Sequence, residues 1–141
     1  MPGDEPPSGA RSPRVATTVG EAAPREPALD PTALQSLRDL EAAAEPGLLR
    51  EILETFRNTG FEKIEAMRLA AREGKHGMLE QAAHSLKGSC GMVGAHRMAE
   101  GCLSVEEAAG QGTCRLQGLA AVGAEWSCVL EEIEALLRTM P

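Results

Sequence analysis

The chain has 141 residues, of which 43% are hydrophobic and 25% charged, but only 2% are aromatic, with two Phe, one Trp and no Tyr. A length in this range predicts one domain with a core of its own. Aromatic and β-branched residues favour sheets, whereas Ala, Leu and Glu favour helices, so this aliphatic composition predicts packed helices. It also excludes the aromatic stacking platforms on which many proteins bind single-stranded nucleic acids.

The charge balance argues against nucleic acids as partners. Fourteen Lys and Arg stand against 21 Asp and Glu, and the formal net charge of −7 would repel a phosphate backbone. No apolar stretch approaches the roughly 20 residues that cross a bilayer, and the first residues lack the apolar segment of a secretion signal. We therefore expect a cytoplasmic protein without direct membrane insertion. The four cysteines contain no CxxC pair, which indicates reduced thiols that pack as small apolar residues.

The N-terminal segment differs in composition from the rest of the chain. Residues 1–28 hold six of the nine prolines and almost no large apolar side chain. Such a segment cannot bury enough surface to offset the entropy of ordering, so it is predicted to be a disordered tail or an interdomain linker. Residues 29–141 are predicted to form the folded domain.

Apolar residues at three- and four-residue spacing predict five helices in that domain. The first is short, and its start is indicated by Asp30, a typical N-cap residue, followed by Pro31. The predicted helices cover residues 31–44, 47–73, 76–92, 95–109 and 113–139. Connections of a few residues place successive helices antiparallel. The predicted fold is therefore all-α, an up-down-up-down four-helix bundle with a short additional N-terminal helix.

Several positions on the apolar stripes carry specific expectations. The stripes are expected to bury Leu40 on the first helix and both Leu116 and Trp126 on the last. Gly60 lies on the stripe of the second helix. There it allows either a kink or the close approach of a neighbouring helix.

The third helix carries the most informative pattern, the segment HSLKGSCGMVG that begins at His84. At about 100° per residue, Leu86 on the core stripe points about 200° away from His84. Lys87, Gly88 and Gly91 all lie within about 60° of the histidine. His84 is therefore predicted to face solvent, beside one cation and two residues that have no side chain.

The two glycines indicate why the face is built in this way. A Gly inside a helix costs up to about 1 kcal/mol relative to Ala, and neither Gly88 nor Gly91 lies on the core stripe. A bare surface around an exposed imidazole indicates that another macromolecule brings its reactive group up to the ring. A neutral imidazole is a nucleophile near pH 7, and Lys87 is placed to offset the charge of a transferred phosphoryl group. No GxxxxGK[ST] or kinase-type loop is present, so the chain has no means of drawing phosphoryl groups from ATP.

The string HSLKGSCGMVGA resembles the signature of histidine-containing phosphotransfer (HPt) domains, in which His is followed by x-[LI]-K-G, small residues, and then an apolar residue and Gly. The similarity extends over about residues 29–138. It implies that His84 is phosphorylated through Nε2 and that Lys87 orients or neutralises the phosphoryl group. It also implies that Gln81, Gly88 and Gly91 belong to a face on which a receiver domain docks. Gly91, like the preceding Cys, departs from the residues commoner at that position.

The resemblance also implies partners. In such relays an aspartyl phosphate on the receiver domain of a hybrid histidine kinase passes to the His, and then to the receiver domain of a response regulator. Because Mg²⁺ belongs to the receiver's active site, we expect this chain to need no metal or other cofactor. We expect a monomeric domain, either the cytoplasmic C-terminal module of a membrane sensor kinase or a free-standing shuttle.

Two alternatives remain open at this point. The chain can be a non-catalytic helical interaction module that binds a signalling partner without phosphotransfer. It can also be the phosphoacceptor domain of a chemotaxis-type histidine kinase, loaded directly by an ATP-using domain. Near the ends of the third helix, Met78, Leu79 and Met92 fit either the core or a rim around the docking face.

The remaining polar residues have simpler interpretations. His76 and His96 are interpreted as surface or helix-end residues, because no His or Cys pair has the i,i+4 spacing of a helical metal site. The paired carboxylates Glu106 and Glu107 fall between core positions. They are interpreted as part of a solvated helix face.

Overall fold

The computed structural model describes residues 26–140, and within that range the chain forms five α-helices and no strand. The helices are α1 (Pro31–Ala43), α2 (Leu48–Glu73), α3 (His76–Val93), α4 (His96–Gly110) and α5 (Leu116–Thr139). The all-α prediction is thus confirmed, and every predicted helix is present. The largest difference is at the start of α5. Thr113 donates from its backbone and its hydroxyl to the carbonyl of Ala108, so it closes the end of α4 instead of beginning α5.

The connections between α2, α3 and α4 are two residues long. Gly74 and Gly94 end α2 and α3 with φ of 69° and 77°, a left-handed conformation that Gly adopts without strain. α2 packs on α3, α3 on α4, α4 on α5, and α5 returns to α2, while α1 packs against α2 and α3. This closed arrangement of neighbours is compatible with the predicted up-down-up-down bundle. None of the five helices is long and apolar enough to cross a membrane.

The core is aliphatic, as the composition predicts. Among the described residues no polar or charged side chain is buried. Phe56 and Trp126 are the aromatic residues of the core, and their ring centroids lie 6.1 Å apart. Leu40 and Leu116, predicted as core, are instead 51% and 72% exposed. Both lie in a terminal turn of their helix, where the neighbouring helices do not cover them.

The chain enters the bundle through a short segment held against the turn between α3 and α4. The backbone amides of Ala28 and Leu29 donate to the carboxylate of Glu132 on α5, at 2.6 and 2.9 Å, and both residues are buried. The backbone amide of Asp30 donates to the carbonyl of Gly94 at 2.9 Å. Most of the predicted tail, residues 1–25, lies outside the described residues. Ala28, which the prediction placed in the tail, is part of the core.

Asp30 also connects α1 with α4. One oxygen of its carboxylate accepts from the backbone amide of Thr32 and caps α1, as predicted. The other oxygen lies 2.9 Å from Nε2 of His96, the first residue of α4. The hydrogen bond with His96 is the main reason that the pKa of Asp30 lies below its ordinary value. His96 is therefore a helix-end residue, as interpreted from the sequence.

Gly60 lies against the ring of Trp126, and α2 continues through it without interruption. A Cβ at this position would lie 2.6 Å from Cζ3 of Trp126. The close-approach interpretation is confirmed, because the absence of a side chain lets α5 bring its one large ring against α2.

Gly60→Ala should therefore lower the free energy of unfolding by about 1–3 kcal/mol, because overpacking outweighs the helix propensity that Ala gains. Urea or thermal unfolding measures this change. Gly77→Ala on α3 is the matched control, since a Cβ there meets no atom within 4 Å and should leave stability unchanged or raise it. Equal stability of the Gly60→Ala variant and the wild type would contradict this account of the α2–α5 contact.

Candidate functional site

α3 places His84 on the surface of the bundle. Leu79, Leu86 and Cys90 of this helix are fully buried, whereas the side chain of His84 is 69% exposed. The opposition of His84 and Leu86 follows from the helical periodicity and agrees with the prediction from the sequence.

The glycines beside His84 leave its face bare. A Cβ added at Gly88 or Gly91 would meet no atom within 4 Å, so neither position is required by helix packing among the described residues. α3 nevertheless continues through both to Val93. Gln81 is exposed on the same face. All five residues predicted for the site, including Lys87, therefore lie together on one side of α3.

The interpretation of Glu106 as part of a solvated face was wrong. Its side chain is only 18% exposed, and its two oxygens contact two different residues of α3. Oε2 lies 2.7 Å from Nδ1 of His84, and Oε1 lies 2.7 Å from Nζ of Lys87. The carboxylate of α4 thus joins the two ionisable side chains of α3 that the sequence predicts for the site.

The sequence contains a weak signal for this contact. His84 and Glu106 lie at nearly equal distances from the short connection at Gly94, so an antiparallel pair of helices brings them to the same level. The periodicity of one helix cannot show which side chains meet across two helices. That depends on how α4 rotates against α3.

The contact with Lys87 keeps Glu106 ionised. The hydrogen bond from Lys87 is the largest influence and lowers the pKa of Glu106. Desolvation acts in the opposite direction, and the contact with His84 lowers the pKa further, so that the net direction is downward. Because a carboxylate only accepts hydrogen bonds, Nδ1 of His84 must carry a proton and donate it. Neutral His84 is then held in the Nδ1–H tautomer, with the lone pair on Nε2.

Nε2 of His84 has no hydrogen-bond partner anywhere in residues 26–140, and the bare glycine face gives access to it. The arrangement combines an exposed ring nitrogen with a free lone pair, a carboxylate that orients the ring, and a cation that fixes the carboxylate. Such a group can act as a nucleophile without a dedicated base.

The surroundings of this face are partly apolar. Met78 and Met92 on α3 are 61% and 59% exposed, whereas Leu79 between them is buried. The two methionines thus fit the docking-rim interpretation, and Leu79 belongs to the core. On the α4 side, a shallow polar cleft of about 520 Å³ opens beside Lys87 and Glu106.

The other potential metal ligands do not form a cluster. No group of three or more His, Cys, Asp or Glu within residues 26–140 is arranged to hold a metal ion. Cys90 and Cys102 are buried thiols of the core, as predicted. The hydrogen bond with Cys102 and burial both raise the pKa of Cys90, so this thiol stays protonated. His76 begins α3 and is a helix-end residue.

An all-helical bundle that presents an exposed histidine with an ion-paired lysine on a glycine-lined face has the features of a phosphotransfer domain. A sequence model of one family, described as the Hpt domain, matches residues 51–139, which is more than half of the chain. The chain belongs to the Hpt domain family.

Solved structures show the same fold. The crystal structure of histidine-containing phosphotransfer protein B (HptB) from Pseudomonas aeruginosa PAO1 superposes with a TM-score of 0.74 and 24% sequence identity, covering 83% of this chain and 100% of that one. The X-ray structure of a rice protein assigned as a histidine-containing phosphotransfer protein gives a TM-score of 0.67 and 21% identity, covering 78% and 79% of the two chains. No curated protein sequence matches the chain.

The tautomer of His84 can be tested by exchanging the carboxylate for an amide. Glu106→Gln removes an obligatory acceptor and introduces an NH₂ donor, so the Nδ1–H tautomer should lose its preference. In ¹⁵N NMR spectra of the ring at neutral pH, the wild type should show a protonated Nδ1, and the variant should shift toward a protonated Nε2. Glu107→Gln on the adjacent residue is the matched control and should leave the His84 spectrum unchanged.

Lys87→Met should raise the pKa of Glu106 toward its ordinary value, because it removes the largest cause of the lowered pKa. A carboxyl whose pKa is lowered by folding stabilises the fold above its unfolded-state pKa, and this contribution is lost as the pH falls through the folded-state pKa. In the variant, Glu106 should therefore contribute less to the change of folding stability with pH. ¹³C NMR titration of the Glu side chains measures the pKa of Glu106 in the wild type and in the variant. Lys75→Met, which breaks only the pair with Glu73, should leave Glu106 unaltered.

Proposed function

We propose that this chain is a phosphorelay intermediate. His84 accepts a phosphoryl group from the aspartyl phosphate of a receiver domain and passes it to the aspartate of a second receiver domain. The observation that carries the proposal is the 2.7 Å contact between Nδ1 of His84 and Glu106, which directs the lone pair to the exposed Nε2. Membership of the Hpt domain family supports the same chemistry.

The residues of the chain suit a direct displacement. In the proposed step the lone pair of Nε2 forms an N–P bond while the P–O bond to the donor aspartate breaks, and the aspartate leaves as a carboxylate. The ring gains positive charge as the bond forms, and Nδ1 keeps its proton. Glu106 faces that proton, so it stabilises the charge where it develops. Transfer to the second receiver is the reverse reaction with another carboxylate.

Lys87 has two possible partners during this cycle. In the resting chain its ammonium is bonded to Glu106 and the side chain is 31% exposed. A phosphoryl group on Nε2 adds negative charge to the same face, and a lysine with a flexible stem can turn toward it. We assign Lys87 the role of neutralising the phosphoryl group. In the resting chain, the ion pair with Glu106 keeps the ammonium next to His84.

The docking face for the receiver comprises Gln81, Gly88 and Gly91 around His84. Their exposed positions leave room for the acidic pocket of a receiver to reach Nε2. The receivers of a hybrid histidine kinase and of a response regulator are the partners that fit this chemistry. Mg²⁺ is expected in the receiver, and we propose that this chain adds no metal or cofactor. We place the exchange in the cytoplasm, either within a membrane sensor kinase or on a free-standing shuttle.

The proposal is tested by incubating the chain with a ³²P-phosphorylated receiver domain and measuring label that is acid-labile and alkali-stable. The wild type should take up label and His84→Gln should take up none, because the amide cannot form the N–P bond. Glu106→Gln should slow uptake by about tenfold or more, because the lone pair is then less often on Nε2.

His96→Gln is the matched control, since it removes an exposed histidine at the start of α4, away from His84, and should leave uptake unchanged. Equal label on the wild type and on His84→Gln would overturn the proposal. An unlabelled wild type that still binds the receiver would make the chain a non-catalytic interaction module.

A further inference from the structure

Phe61 occupies an unusual place for an aromatic residue of this chain. Two of the three aromatic residues are in the core, but Phe61 is 58% exposed on α2. It lies at a groove between α2 and α5 whose floor includes Trp126 and Leu130. An exposed aromatic ring above an apolar groove is a common feature of surfaces that bind another protein.

Charged residues flank Phe61 symmetrically along the same side of α2. Arg57 and Glu65 lie four residues before and after it, and Glu54 and Arg68 lie seven residues before and after it. Spacings of four and seven residues keep all five side chains on one face of a helix. We call this face the Phe61 stripe. Along the helix axis it presents a negative and a positive side chain, then Phe61, then again a negative and a positive side chain.

This order is complementary to itself in one orientation only. If a second α2 lies antiparallel with Phe61 against Phe61, Arg57 faces Glu65 of the second copy and Glu54 faces Arg68 of the second copy. Each pair occurs twice because of the two-fold axis, which gives four ion pairs around one aromatic contact. If the two helices were parallel and in register, each charged side chain would instead face the same residue of the second copy, and like charges would repel.

The charges of the stripe are available for such pairing. Arg57 has no ion-pair or hydrogen-bond partner in the described part of the chain. Glu65 and Arg68 pair with each other at 2.8 Å, but both side chains are about half exposed, at 51% and 48%. Glu54 pairs with Arg50 in a similarly exposed contact. Exposed pairs of this kind contribute little to stability, so exchanging them for pairs across an interface costs little.

We propose that a second copy of this chain docks antiparallel on the Phe61 stripe, with the two Phe61 rings at the two-fold axis. This departs from the monomer expected from the sequence, because the sequence alone does not show that Phe61 is exposed. His84 lies beside α4, and the stripe lies beside α5, so a dimer leaves the docking face of each copy open.

The first test measures the mass of the full chain by analytical ultracentrifugation over a range of concentrations. The wild type should show a monomer–dimer equilibrium, and Phe61→Ser should raise its dissociation constant by at least about tenfold. Met78→Ser on α3 is the matched control, because Met78 is equally exposed, at 61%, but lies off the stripe. A wild type that stays monomeric at the highest concentration, or a Phe61→Ser variant with an unchanged constant, would overturn the proposal.

A charge exchange tests the antiparallel register. Arg57→Glu alone should weaken the dimer, because it places two carboxylates opposite each other. Adding Glu65→Arg to the same chain exchanges the two charges and should restore association, since residue 57 faces residue 65 of the second copy. If the double variant associates as weakly as the single variant, the register is wrong. Circular dichroism and label uptake on His84 should be the same for the wild type, Phe61→Ser and the two charge variants, which separates loss of association from loss of fold.

Discussion

How α4 packs against α3 is the constraint on which the candidate site depends. The two helices are joined by a two-residue connection and share a core in which Leu86 and Val105 are fully buried. This core fixes the rotation of α4, and with it the position of Glu106 opposite His84 and Lys87. A small rotation of α4 would keep the core apolar but would separate the carboxylate from both partners. The chemistry of the exposed face is therefore set by residues buried beneath it.

One carboxylate serves two functions at this face. Its contact with Lys87 keeps it ionised, and its contact with His84 fixes the proton on Nδ1. Because the cation and the carboxylate offset each other, they add little net charge next to the ring. In the proposed transfer step, such a network separates two requirements that conflict in a single residue, since the group that stabilises positive charge on the ring is negative and the group that meets the phosphoryl oxygens is positive.

The bundle also keeps different surfaces apart. The face around His84 belongs to α3 and α4, whereas the exposed Phe61 belongs to the groove between α2 and α5. The segment that leads into α1 is held by Gly94 at the turn between α3 and α4 and by Glu132 on α5. Because the His84 face and the Phe61 groove involve different pairs of helices, the bundle presents two separate surfaces at once.

The sequence by itself determined the helices, their order and the exposed His84 face, because these depend on periodicity and helix-end signals within single segments. It left Gly60 open between a kink and a position of close approach, and the structure decides for close approach by Trp126. The sequence placed Leu40 and Leu116 in the core because a stripe does not show where neighbouring helices end. It missed Glu106 for a related reason. From the sequence of one helix, a carboxylate between core positions is predicted to be solvated, because the neighbouring helix is not known. Only the tertiary structure decides which side chains meet across two helices.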